Sequence, residues 1–116
     1  MANTNRAIRR KDITELARQT WLRIWGDQMP CGWRVYLVRK TVIQKAYGRS
    51  VCGVLMRRNG TILVGRHTNR HSFQTLVHEL AHLRTLDEPM DHGPVWDHEF
   101  NRVARGLLGN ELHRDI

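Results

Sequence analysis

Between Phe73 and Leu86 the chain carries its strongest helical pattern. At ~100° per residue, Phe73, Leu76, Val77, Leu80 and Leu83 gather in one arc, and His78 and His82 stand on the opposite side. Such a helix buries one stripe against a neighbouring layer and keeps its two imidazoles outside that contact. Ser72 is the expected N-cap and Pro89 the stop. The rest of the chain must supply a surface for the stripe.

The preceding residues offer a sheet and a helix. Ile13, Leu16, Ala17, Trp21, Ile24 and Trp25 recur at three- and four-residue steps, with Asp12 and Glu15 suited to an N-cap and N3 and Gly26 to a stop. Trp33–Arg39 alternates and is rich in β-branched and aromatic residues, as a strand requires. Val51–Met56 and Thr61–Gly65 flank Arg57-Arg58-Asn59-Gly60, where Asn-Gly signals a hairpin through two residues that tolerate positive φ. Thr41–Ser50 reads as an excursion between strands. Beyond Gly93-Pro94, the spacing of Trp96, Phe100, Val103, Ala104 and Leu107 predicts a last helix to about Leu108. The expectation is an α+β domain: an N-terminal helix, a three-stranded, mostly antiparallel sheet, then two helices.

Length and charge narrow the class. The 116 residues suit one domain, 12–116, behind a basic N-terminal arm, 1–11. The apolar runs fall short of the ~18–20 residues that a membrane span needs, and the basic start has no apolar stretch behind it as a secretory signal would. With two cysteines, Cys31 and Cys52, a disulfide scaffold or a four-thiolate ribbon is excluded; both read as buried small side chains in a soluble, cytoplasmic protein. Residues 1–70 hold 15 basic and 3 acidic side chains (+12), residues 71–116 hold 4 and 8 (−4). A segment that basic can contact nucleic acid by neutralising phosphates.

The chemistry concentrates in His78-Glu79-Leu80-Ala81-His82. Two histidines four apart on a helix project from one face and can reach one tetrahedral ion, with Glu79 rotated ~100° toward water that the ion would activate. A catalytic site takes three protein ligands. His92, after a turn and just before a Pro-initiated helix, can fold back over the pair, with Gly93 allowing close approach and Trp96 anchoring the helix beneath. A carboxylate third ligand would have to be Glu99. His98 falls on the solvent side of its helix, and His67, His71 and His113 read as surface residues, His71 being the best placed to touch substrate. Asp91 reads as a turn residue or as an acceptor for a ligand imidazole. The four tryptophans read as core.

HELAH, separated by nine residues from HGPVW, resembles the SprT-like (Spartan-type) zinc metallopeptidase family, whose signature is HExxH followed by HGxxF or HGxxW. Ser50-Val51-Cys52-Gly53 and Gly60-Thr61-Ile62-Leu63 are similar to its lead-in, and the resemblance spans about residues 12–108. It implies a zincin-like fold, Zn2+ on His78, His82 and His92, Glu79 as general base and acid, and hydrolysis of peptide bonds, often in DNA-associated proteins. Full-length members commonly carry a C-terminal zinc ribbon, which this chain, a minimal core by comparison, does not supply.

These readings predict a zinc-dependent endopeptidase whose protein or peptide substrate adds as a strand to an open sheet edge. Tyr47, His71 and Arg84 are the candidates for an auxiliary oxyanion donor. Two alternatives stand beside it: a non-catalytic, zinc-stabilised nucleic-acid-binding module, and a regulatory peptidase that cuts a repressor.

Overall fold

The computed structural model of the chain describes residues 10–87 and 92–107, with side chains as far as Asn101. Its elements run β1 (Arg10–Asp12), α1 (Thr14–Trp25), β2 (Arg34–Arg39), α2 (Lys40–Tyr47), β3 (Gly53–Met56), β4 (Thr61–Arg66), α3 (Asn69–Arg84) and α4 (Pro94–Leu107). The α+β class follows directly. The strands form one four-stranded sheet in the order β1-β2-β4-β3.

The sheet differs from the expected three-stranded, mostly antiparallel one. β1 pairs antiparallel with β2 and β3 antiparallel with β4, but the central pair, β2 and β4, is parallel from Arg34↔Thr61 to Arg39↔Arg66. A parallel pair needs a crossover between its strands. The segment expected as an excursion supplies part of it as α2, which packs at the end of β4: a side chain on Gly65 would meet Ile43 and Lys40. β1 comes from the end of the expected basic arm. Its burial pattern is exposed throughout, so no apolar alternation announces it, and it is held by ladder bonds and by the Asp12–Arg34 ion pair. Residues 1–9 of that arm lie outside the described residues.

The core lies between the sheet and two helices. Val35 and Leu37 of β2 and Ile62 and Val64 of β4 point to one face, where Ala17 and Trp21 of α1 and Phe73, Leu76, Val77, Leu80 and Leu83 of α3 cover them. The stripe predicted for α3 is thus the buried one. Fully burying one such side chain contributes about 1.5–3 kcal/mol, so these five hold α3 firmly to the sheet.

Helix starts differ by a residue or a turn. α1 begins at Thr14, and Asp12 Oδ1 still accepts the Thr14 N–H at 2.9 Å from just outside the cap, while Gly26 closes the helix at φ 77°. α3 begins a turn early at Asn69, capped by Thr68, whose hydroxyl accepts the His71 N–H. Ser72, the expected cap, is instead buried within the helix; its hydroxyl accepts the His67 N–H at 2.8 Å and donates to the Gly65 carbonyl at 3.2 Å. The bond to Gly65 ties the end of β4 to α3. The β3–β4 connection has four residues, with positive φ at Gly60 and not at Asn59. No helix of the described residues is long and apolar enough to cross a membrane.

Candidate metal centre

α3 presents His78 and His82 one turn apart on the side away from its buried stripe, and the turn before α4 brings His92 onto them. His82 Nε2 lies 3.1 Å from His78 Nε2 and 2.7 Å from His92 Nε2. The ligand atoms of all three lie within 4.8 Å of one another, and among the described residues no other group of three or more His, Cys, Asp or Glu gathers in this way. In a tetrahedral zinc site with Zn–N of about 2.0–2.1 Å, adjacent nitrogens stand about 3.3 Å apart. His82 Nε2 carries at most one proton and faces two other ring nitrogens, so a shared cation suits the trio better than hydrogen bonds alone. An all-imidazole donor set fits a borderline divalent ion and leaves coordination positions for other ligands.

His92 reaches the site through its own backbone. Its φ of 54° is the one left-handed value at a non-glycine among the described residues. Such a conformation is uncommon outside glycine, with His among the enriched exceptions, and it collects at sites where a side chain must be aimed. The conformational freedom that sequence reasoning gives to Gly93 is used at His92 instead, while Gly93 is buried and its carbonyl starts α4 by accepting the Asp97 N–H at 2.9 Å.

Trp96 lies beneath the three rings, its centroid 4.4 Å from that of His92, 4.9 Å from His78 and 5.0 Å from His82, and it stacks on Phe100. It is 7% exposed, and its indole N–H has no hydrogen-bond partner among the described residues. Leaving that donor unpaired costs free energy, which the packing against three imidazoles and Phe100 must offset.

Glu79 is 5% exposed and lies against β3. A methyl group on Gly53 would stand 3.1 Å from Glu79 Cγ, 3.2 Å from Glu79 Oε1 and 2.7 Å from Thr75 Cγ2. Glycine at 53 therefore lets helix and strand approach closely enough to hold the carboxylate at the strand. β3 is an edge strand. Because the Gly65 N–H donates to the Cys52 carbonyl and Val54 pairs with Leu63, antiparallel alternation turns the amides and carbonyls of Gly53 and Leu55 outward to the open edge. A cleft of about 600 Å³ opens at the start of β3, walled by Gly53, Thr75, His78, Glu79, His92 and Phe100 among others.

Other candidates fall away from the centre. The Glu99 carboxylate accepts the Trp25 indole N–H, which commits it to α1 and away from the ion-binding group. His98 is exposed, as expected. Arg84 makes two bonds to Asp27, at 2.9 and 2.8 Å, and Tyr47 donates to the Met56 sulfur, so of the three oxyanion candidates His71 alone lines the cleft. Cys31 and Cys52 are exposed rather than buried, because both sit on loops, and Cys52 borders the cleft. Asp91 and His113 lie outside the described residues. The role of Gly53 escapes sequence reasoning, since a glycine opening a strand carries no signal of the helix it faces. Comparison of the chain with protein-family models, curated proteins and solved structures finds no match.

Proposed function

We propose that this chain is a zinc-dependent metallopeptidase with a zincin-like arrangement, acting on a protein or peptide substrate. One observation carries the reading: three imidazole nitrogens converge beside a cleft, with a buried carboxylate on the next helical position held against the edge strand β3. His78, His82 and His92 would hold the metal. A bound Zn2+ would supply Lewis-acid chemistry there, making water more acidic and polarising a carbonyl.

The chain's own groups account for the rest. An extended substrate segment pairs with the outward amides and carbonyls of Gly53 and Leu55, which sets its backbone beside Glu79. The Glu79 carboxylate accepts a proton from the attacking water and delivers it to the leaving amine. Burial in the cleft wall keeps that carboxylate from wandering and excludes competing bulk water. A purely structural zinc site, as in a nucleic-acid-binding module, gives Glu79 no such task.

Metal analysis and turnover test this together. The wild type is expected to bind one Zn2+ per chain and His92→Ala to lose stoichiometric binding. Glu79→Gln should keep the zinc and lose activity on a denatured protein substrate by about 10²–10⁴-fold. Full zinc in His92→Ala would move the third ligand elsewhere, and full turnover in Glu79→Gln would reject the carboxylate as base.

A further inference from the structure

The cleft continues past the metal centre to a second chemical environment. Its far wall is made by Lys40 at the start of α2, His67 after β4 and His71 in the first turn of α3. His71, Thr75 and His78 follow one another at four- and three-residue steps, so they share one face of α3. His67 and His71 stack with ring centroids 4.7 Å apart and planes 21° from parallel. Lys40 lies close to the end of β4: a methyl on Gly65, two residues before His67, would stand in ordinary contact with Lys40 Cα at 3.6 Å.

These groups are donors in search of an acceptor. His67 Nδ1 accepts the Thr68 N–H at 2.8 Å, which puts the proton of a neutral ring on Nε2, away from that bond. Among the described residues no carboxylate lies in ion-pair contact with Lys40, His67 or His71, and Glu79 is the one acidic side chain in the cleft wall. Arg39 and Arg66, in register at the ends of β2 and β4, add positive charge at the same end of the sheet.

We infer that Lys40, His67 and His71 form an anion-accepting subsite that selects an acidic side chain of the substrate. The subsite's place in the cleft gives its distance from the reacting bond. His71 and His78 are seven residues apart on α3, about 10 Å at 1.5 Å per residue, and an extended peptide covers that in about three residues at 3.3 Å each. The preferred substrate therefore carries Glu or Asp about three residues from the cleaved bond. The cleft's continuity with the metal centre favours a peptide carboxylate over a nucleic-acid phosphate as the anion. The inference rests on the peptidase reading, and binding and cleavage are measured separately to keep the two apart.

The test uses Ala/Ser nonapeptides carrying one Glu at successive positions, each with a Gln counterpart, titrated against the zinc-loaded Glu79→Gln chain. One position should favour Glu by about tenfold, as a charge-assisted contact does. Lys40→Gln or His71→Gln should bring that ratio near one, with thermal midpoints kept, while Lys45→Gln, on the exposed last turn of α2, should leave it intact. Equal binding of Glu and Gln peptides overturns the proposal, as does a preference that Lys45→Gln weakens as much as Lys40→Gln does, since net charge would then explain it. A Lys40-dependent oligothymidylate that binds tighter than any Glu peptide also overturns it, by giving the subsite to phosphate. Cleavage by the wild type without a Glu preference sinks this inference alone; a Glu preference without cleavage sinks the hydrolase reading alone.

Discussion

Gly53 is where a single hydrogen atom decides the geometry of the site. Its Cα hydrogen occupies the space in which a methyl would press on Thr75 and on the Glu79 carboxylate, both carried by the helix that also bears His78 and His82. Gly53→Ala is expected to push Glu79 off its position, lowering turnover by about 10²-fold while zinc stays bound, since an ~1 Å misplacement of a reacting group costs about that much. The folded state should lose about 1–3 kcal/mol from overpacking. Steady-state kinetics beside metal analysis checks this, and unchanged turnover would show that the carboxylate does not depend on the strand. At this scale the sequence is legible where chemistry is local: His78, Glu79 and His82 lie within one turn or so, and His92 is marked by the turn around it. Gly53 is not, because its meaning lies in residues more than twenty positions away.

Among the elements, the C-terminal end of α3 is fastened by Arg84. Its guanidinium bonds Asp27 in the loop after α1 and lies over the rings of Trp21 and Trp25, while the Trp21 indole N–H donates to Asp27 Oδ1 at 2.7 Å. The Arg84 hydrogen bond, then the Trp21 bond, holds the Asp27 carboxyl below its usual value of 3.8. A depressed carboxylate stabilises the fold fully above its unfolded-state pKa and loses that contribution as pH falls through the lower folded value. Wild type and Asp27→Asn should therefore differ in thermal midpoint above about pH 5 and converge as pH drops below 3.8. A gap that persists in acid would assign the effect to shape rather than charge. The helices α1, α3 and α4 are readable at this scale because their apolar stripes repeat at 3.6 residues, whereas α2, in the segment expected as an excursion, is not. Nor are β1 and the parallel β2–β4 pairing. A three-residue exposed strand has no pattern to detect, and two similar apolar strands do not declare their relative direction.

Over the whole molecule, metal binding at the trio would make ion affinity and stability one equilibrium seen twice. An ion that binds only the folded chain adds about 2.7 kcal/mol at a free concentration 100 times its Kd. Chelation is therefore expected to lower the thermal midpoint of the wild type by about 10 °C and to leave His92→Ala almost unmoved. Equal shifts in both would mean that the ion grips residues other than this trio. His78 and His82 belong to α3, whereas His92 stands at the threshold of α4, beyond a run of chain that includes Pro89 and Met90. An ion shared among them would be a cross-link, with a loop-closure entropy set by the nine residues between His82 and His92. Such an ion would fasten the last helix reversibly, by coordination and at the mercy of the metal supply, in a chain whose two exposed thiols form no covalent bridge.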